Sequence, residues 1–378
     1  MNKKVLMVAT VPSMIGQFNM DNIQILLDAG YDVDVACDFS DRSVWPSEKI
    51  EKFKKILNDK GISYFQIDFS RKPLSIKKHI LSYKQLMKLI KEKNYSFIHT
   101  HTPIASAIAR LVAKKYNIKV IYTAHGFHFY KGAPLKNWIV FYPIERLLSS
   151  KTDILITINK EDYKLALDKM KASRIEFVNG VGIDSSKFLL KFFDKEKKRC
   201  ELGIGSSDVM VFSVGELNKN KNHEVIIKAL AQIDSKNIHY FIAGQGNKKE
   251  YLQSLAKEYN VNLHLLGFRT DIIELLNVAD IYAFPSQREG LSVALMEAIA
   301  AGLPCVVSKI RGNVDLIDDE ENGYLVDAND ISGYSKAIKK IIDLDEKEKK
   351  LFKEYSLNKI NNYDIKNVRI KMKGIYND

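Results

Sequence analysis

Apolar residues fall along this chain in short runs, separated by longer stretches in which they recur every three or four positions. Val5 to Val11 reads as a buried strand entering a loop that contains Gly16. A helix from about Met20 to Ala29 follows, closed by Gly30, and Val33, Val35 and Cys37 then alternate as a second strand. Further strands are expected at Phe97 to Thr100, Val120 to Thr123 and Ile154 to Thr157, with a helix over Ile104 to Lys115. The rhythm restarts at Val209 to Val214 and continues through His239 to Ala243, Leu263 to Leu266 and Ile281 to Phe284. Two rounds of strand–helix alternation predict an α/β chain of two doubly wound, parallel-sheet domains. The first is expected over 1–188 and the second over 206–354. A charged, weakly patterned linker lies over 189–205, and a closing segment covers 355–378. Gly-x-Gly-x-x-Gly is absent, so the opening unit carries no dinucleotide fingerprint.

The block Ala283 to Val307 organises the second half. A strand closes on Pro285-Ser286, and Ser292 to Ala301 has the pattern of a short helix, stopped by Gly302 and Pro304. Ser292 is the expected N-cap. Glu289 falls in the loop before this helix and Glu297 inside it. The free amides of the first helical turn then form an anion site between the two acids. Carboxylates suit hydroxyl groups because each offers several acceptor positions. By chance alone, Glu-x7-Glu is a common spacing, so the block gains meaning only from its context.

Charge narrows the partners. The chain has 378 residues and a formal net charge of +12, which favours an anionic partner such as a phosphorylated substrate, an acidic lipid surface or nucleic acid. Residues Arg71 to Tyr95 hold eight Lys or Arg against Glu92 alone, and Ile76, Ile80, Tyr83, Met87 and Ile90 recur at helical spacing. That is either a core-packed helix with a solvated basic face or one that rests on anionic lipid, through Lys77, Lys78, Lys84 and Lys88. Lys131 and Trp138, within a stretch that interleaves charge and aromatics, would suit a membrane-proximal lip or packing beneath a loop. No run approaches eighteen apolar residues, and the apolar start reads as a strand rather than a leader. The three cysteines, Cys37, Cys200 and Cys305, show neither a disulfide framework nor zinc spacing, which points to a reducing cytoplasm. Asp32-Val33-Asp34 spells Asp-x-Asp, and His99, His101, His125 and His128 gather at strand ends. The first is a pair that can hold a metal, but both acids project from one side of a strand or its mouth. The histidines come from separate strands with no cysteine or acid at ligand spacing, so strand-edge solvation and cleft hydrogen bonding explain the two sets better.

Several of these pieces occur in one order: Gly16, His125-Gly126, Asn179-Gly180-Val181, Lys221, Gly267-Phe268-Arg269 and the acid pair. Together they resemble glycosyltransferase family four across nearly the whole chain. The segments TAHGFHFYKGAP (Thr123 to Pro134) and GELNKNKNH (Gly215 to His223) are most similar to bacterial enzymes of capsular or exopolysaccharide assembly. The resemblance implies the GT-B fold, two facing Rossmann-like domains with a C-terminal helix that returns to the first. It implies a retaining, metal-independent transfer of a sugar, with no cofactor, from a nucleotide-sugar donor expected to be UDP-linked. The acceptor would be a polyprenyl-diphosphate-linked saccharide at the inner face of the cytoplasmic membrane, where the protein would sit peripherally.

Carried over residue by residue, Gly16 lets the backbone approach the donor diphosphate, His125 contacts the transferred sugar and Lys221 neutralises the leaving diphosphate. Glu289, with the amides of Gly290, Leu291, Ser292 and Val293, orients sugar and phosphates, and Glu297 binds ribose. Phe268 and Arg269 sit where the base is held. One position departs from the family pattern: Glu216 stands where most members have an arginine, so a second positive charge must come from elsewhere, with Lys219 as the candidate. A UDP-sugar 2-epimerase of the same architecture is the alternative. A basic nucleic-acid-binding protein is a remote one, because much of the charge lies in one amphipathic segment rather than along a groove.

Overall fold

The structure, a computed structural model, describes residues 3–190, 192–233 and 236–377. It contains two parallel sheets. The first is formed by β1 (Lys4–Val8), β2 (Asp32–Cys37), β3 (Ser63–Gln66), β4 (Tyr95–Thr100), β5 (Lys119–Ala124), β6 (Ile154–Thr157) and β7 (Arg174–Phe177), in the order β3-β2-β1-β4-β5-β6-β7. The second comprises β8 (Val209–Val214), β9 (Ile238–Ala243), β10 (Asn262–Gly267), β11 (Ile281–Phe284), β12 (Cys305–Ser308) and β13 (Gly323–Val326), in the order β10-β9-β8-β11-β12-β13. Strand order reverses between β1 and β4 and again between β8 and β11. Those are the switch points at whose carboxyl ends doubly wound sheets place ligands.

Near-continuous apolar strands follow from this design, because helices cover both faces of each sheet. Leu6, Met7 and Val8 are fully buried in β1, as are Val211 and Phe212 in β8. The chain divides into one compact unit ending at Val181, joined by the residues from Val368 onward, and a second unit, Gly182–Asn367. The stretch 189–205, expected as a linker, carries the helix Lys195–Glu201 and packs in the second unit. There Lys198 bonds Asp271 at 2.7 Å and Arg199 bonds the carbonyl of Asp208 at 2.5 Å. Of the closing segment 355–378, residues 355–360 belong to the helix Glu346–Ile360 in the second unit.

Only from Val368 does the last helix (Ile365–Asn377) join the first unit. Val368, Met372, Ile375 and Tyr376 are buried there in one core with Phe97 and Ile121. Tyr376 stacks on Phe97 with ring centroids 5.9 Å apart, and its hydroxyl is 2.8 Å from His99 Nδ1. Arg369 pairs with Asp21, and Lys371 with Glu176 at 2.5 Å.

Gly16 departs from expectation. It lies inside a helix, Pro12–Phe18, rather than in an open loop. A Cβ there would stand 2.4 Å from the Trp45 ring and 3.1 Å from Phe53, so packing within the first unit requires this glycine. Asp34 of the Asp-x-Asp pair is buried, accepting from the Tyr95 hydroxyl at 2.7 Å and pairing with Lys4 at 3.5 Å.

Tyr376→Phe keeps the ring and deletes the partner of a buried imidazole nitrogen. A loss of about 1–3 kcal/mol is expected, read as a lower urea midpoint with an unchanged slope. An unchanged midpoint would show that the hydrogen bond does not hold this helix.

Candidate functional site

The carboxyl end of the second sheet is built on close backbone approach. The loop after β9 passes so near the loop after β8 that a Cβ on Gly244 would lie 1.8 Å from the carbonyl oxygen of Gly215. One on Gly246 would lie 2.4 Å from that of Leu217. Leu217 N–H donates to Gln245 and Lys248 N–H to Leu217, so the two loops share a short ladder. Asn218 Oδ1 then accepts from the amide of Lys221 at 3.0 Å, and Asn222, at a φ of 54°, turns the chain into the helix His223–Leu230.

Lys221 folds back over Gly215 and reaches the loop that follows β11. Its ammonium lies 2.8 Å from Glu289 Oε1 and 4.6 Å from the centre of the Phe284 ring. Both partners are largely buried, at 20% and 17% exposure, so the pair is shielded from water and salt far more than a surface pair. Asn220 ties the same loops a second time, bonding the carbonyl of Arg288 and the amide of Gln287. Arg311, also buried, donates to the carbonyl of Glu289 at 3.2 Å.

The helix Val293–Ala300 begins four residues past Glu289, and the Ser292 hydroxyl accepts from the Leu295 amide as its N-cap. The remaining first-turn amides are donors without an intrahelical partner. One turn further on, Glu297 is half-buried, and its carboxylate makes no hydrogen bond or ion pair among the described residues. Burial alone pushes its carboxyl up to about 7. A carboxylate desolvated without a partner is costly to keep. Below it, His223 Nδ1 is 2.9 Å from the Tyr240 hydroxyl, which in turn is 2.9 Å from the Ser213 hydroxyl. Burial, reinforced by the Lys221 charge, lowers His223 to about 3 and keeps it neutral.

Other expected residues stand apart from this centre. Lys219 and Glu216 are exposed. Phe268 is 71% exposed at the end of β10, free to stack on a planar ligand. Arg269 is held by Asp271 through two hydrogen bonds of 2.7 and 2.5 Å, and so is not an uncommitted cation.

In the first unit, His125 follows β5 and His101 follows β4, with His125 Nε2 3.4 Å from His101 Nδ1. His99, one strand residue below, bonds Thr123 at 2.9 Å as well as Tyr376. Burial lowers His99 to about 3 and His125 to about 4, and drives His101 down as well. The three imidazoles are therefore neutral hydrogen-bonding groups at pH 7, able to present a dipole but no charge. Trp138 is half-buried against Phe129 and Tyr142, with its indole N–H on the Tyr130 carbonyl, so it packs beneath the loop rather than forming a lip. Lys77, Lys78, Lys84, Lys88 and Lys131 are all exposed.

Two family models match the chain: Glycosyl transferase 4-like over 4–159 and Glycosyl transferases group 1 over 194–357. EpsD of Bacillus subtilis, named as a glycosyltransferase, is 33% identical over 363 residues, covering 94% of this chain and 91% of its own. This chain belongs to the family-four glycosyltransferases. A second relative, the Escherichia coli UDP-Gal:α-D-GlcNAc-diphosphoundecaprenol α-1,3-galactosyltransferase, is 29% identical over 85% of each chain. Among solved structures, Anabaena HepE in complex with UDP superposes with a TM-score of 0.79 at 18% identity, covering 99% of both chains, and WaaG with a TM-score of 0.71. The fold is thus that of the GT-B transferases, and the protein is a glycosyltransferase acting on a nucleotide-sugar.

Two buried features of this transferase escape a reading of sequence spacing: the Arg110–Glu145 ion pair, at 2.5 Å, and the His99–Tyr376 contact. Their partners lie 35 and 277 residues apart, so no local pattern links them.

Acid should weaken the first unit. Unfolded histidines take up protons near pH 6.5, whereas His99 and His125 do so only near 3 and 4. Stability is therefore complete above about 6.5 and falls as pH drops toward 4. At pH 5 the expected loss is on the order of 1–2 kcal/mol per buried histidine relative to pH 7.5. Urea midpoints at the two pH values measure it, and equal midpoints would mean that these imidazoles are not held neutral.

Proposed function

We propose that this transferase moves a sugar with retention of configuration, from a UDP-sugar to a polyprenyl-diphosphate-linked saccharide in capsule or exopolysaccharide assembly. It works without a metal ion, as a peripheral protein at the inner face of the cytoplasmic membrane. The observation that carries the reading is the Lys221–Glu289 pair ahead of a capped helix start, followed by the unpartnered Glu297. The relatives add support: one is named for UDP-galactose and a diphosphoundecaprenol acceptor, and HepE was solved with UDP. Both matched family models describe transferases, which favours transfer over the epimerase alternative.

On this reading the donor diphosphate lies at the start of the Val293–Ala300 helix and takes over the Lys221 ammonium. Glu289, released from that pairing, accepts from hydroxyls of the sugar, and Glu297 accepts from those of the ribose. Phe268 offers its exposed ring to the base. The bond from the anomeric carbon to the diphosphate oxygen breaks as Lys221 and the helix amides stabilise the departing charge. The acceptor hydroxyl oxygen bonds the same face of that carbon, and its proton passes to the leaving phosphate. No carboxylate needs to act as a nucleophile, in contrast to paired-acid hydrolases. His125, neutral, hydrogen-bonds the transferred sugar. Lys219 is the candidate for the second positive charge that Glu216 does not supply. Gly16 and Arg269, engaged with Trp45 and Asp271, have weaker grounds for a donor role.

Thermal melting with UDP, GDP, ADP and NAD, each with and without EDTA, tests the donor site. UDP is expected to raise the midpoint most, with EDTA making no difference, by mass action on the folded state. Glu297→Ala should weaken UDP binding by about 1–3 kcal/mol, roughly ten- to a hundredfold. Because Glu297 titrates near 7 and is the stronger acceptor as a carboxylate, the difference between wild type and Glu297→Gln should widen from pH 6 to pH 8. Stabilisation by NAD alone, or UDP binding abolished by EDTA, would overturn the assignment.

A further inference from the structure

The loop that follows β5 closes over a cavity in the first unit that the proposed chemistry leaves unused. Ile104, Ala107 and Leu111 of the helix Pro103–Tyr116 form one wall. Val140 and Ile144 of the helix Leu135–Ser149 form the other, and Phe127 closes it from the loop. Its volume is about 290 Å³, near the lower end for ligand pockets, which run from about 300 Å³. The lining is overwhelmingly apolar. Its carboxylate, Glu145, is held by two hydrogen bonds from the buried Arg110 and presents no unpaired charge.

This cavity opens onto an apolar surface. Leu111, Val140 and Ile144 line it yet remain 43%, 49% and 51% exposed, and the same helix continues outward with Leu135, Ile139 and Leu147 at 65–73%. Nothing among the described residues covers that stripe. A helix apolar on its outer side as well as its inner one belongs against another apolar phase. Beside it, the residues leading into the basic helix Ile76–Glu92 expose Leu74 at 91% and Ile76 at 60%.

Charge selects the occupant. Arg71, Lys72, Lys77 and Lys78 are exposed on the segment whose Pro73 and His79 line the cavity, and Lys131 and Lys136 are exposed where the loop after β5 enters the helix whose Val140 and Ile144 line it. An apolar slot with cations beside it fits an amphiphile with an anionic head and a hydrocarbon tail. The slot is small and single, so it admits a segment of one chain rather than the paired chains of a phospholipid. We propose that it takes the first isoprene units of the acceptor's polyprenyl chain, with the diphosphate on the lysine rim. The remaining chain runs along the apolar stripe into the bilayer. Gly126 of the cavity wall is the residue after His125, so the slot lies beside the carboxyl end of β5. The inference rests on the acceptor reading above.

A polyprenyl diphosphate bearing a photoreactive diazirine on the isoprene next to the diphosphate, mixed with the full chain in detergent micelles, tests it. Mass spectrometry of the photoproducts should place the label within 104–111 and 140–148. Unlabelled polyprenyl diphosphate should compete, and the same amount of phosphatidylglycerol should not. Ala107→Phe and Ile144→Trp fill the slot from opposite walls. Either variant that keeps the wild-type circular dichroism and melting should lose labelling on the order of tenfold or more. Equal competition by phosphatidylglycerol, label confined to 74–81, or undiminished label in a folded variant would overturn the proposal. So would a dimer in gel filtration that Ile144→Trp dissociates, since a second copy would then own this face. Labelling in the slot without sugar transfer to any polyprenyl-linked acceptor would remove the acceptor reading and leave the chain site standing. Transfer with the label elsewhere would do the reverse.

Discussion

The contact on which the second unit's chemistry depends is one between backbones. Gly244 carries no side chain because the carbonyl oxygen of Gly215 occupies the place where its Cβ would be. That approach lets the loops after β8 and β9 lie flat on one another, and the shared hydrogen bonds of Leu217 and Lys248 fix their spacing. Lys221 leaves this platform in one direction only, over Gly215, and so meets Glu289. A larger residue at Gly244 or Gly246 would lift the loop and move the ammonium, with no change in local charge. Placement of the cation is thus a packing property before it is an electrostatic one.

The same contrast explains what was legible in the sequence. Buried parallel strands are written as apolar runs with turn residues at both ends. Hence β5, β6, β8 and β11 could be placed within a few residues, and Ser292 could be read as a helix cap. The Glu-x7-Glu block was visible because a loop, a cap and a helix are local events. Partnership is not local. Nothing near Gly16 announces that Trp45, 29 positions on, will press against it, so a loop glycine beside a diphosphate was the natural reading, and a packed helix is the result. Arg269 looked like an available cation, and two residues later Asp271 takes it. The stretch 189–205 looked like a linker because its charges lacked a pattern, yet Lys198 reaches Asp271 and Arg199 reaches Asp280, acids more than 70 residues away that no local pattern announces.

Amphipathic patterning had a subtler limit. The spacing of Ile76, Ile80, Tyr83, Met87 and Ile90 fitted a core-facing or a lipid-facing helix equally well. The structure divides it lengthwise: Leu86, Leu89 and Ile90 are buried, while Ile76, Ile80 and Leu81 are exposed. The helix Leu135–Ser149 gave still less warning, since apolar residues occur on nearly all sides of it. Which side is buried follows from Phe129, Trp138 and Tyr142 clustering inward, and that cluster depends on the loop Gly126–Tyr130 folding over it. Periodicity identifies a helix with two apolar faces, but only tertiary packing decides which one is left over.

Charge bookkeeping joins these strands of argument. Two cations that the sequence offered to the donor are already committed in the second unit, Lys221 to Glu289 and Arg269 to Asp271. On the proposed reading, a diphosphate therefore has to exchange partners rather than fill a positive hole. For Lys221 the exchange is favoured, because a diphosphate brings more negative charge than the carboxylate it replaces and the helix amides add donors that Glu289 does not use. Arg269 is different: Asp271 also bonds Lys198, which Glu274 holds as well, so withdrawing Asp271 would disturb a network of two cations and two acids. The two pairs look alike in a list of ion pairs. Only the first can open without breaking a network, and on the proposed reading its opening frees the acid that the sugar requires.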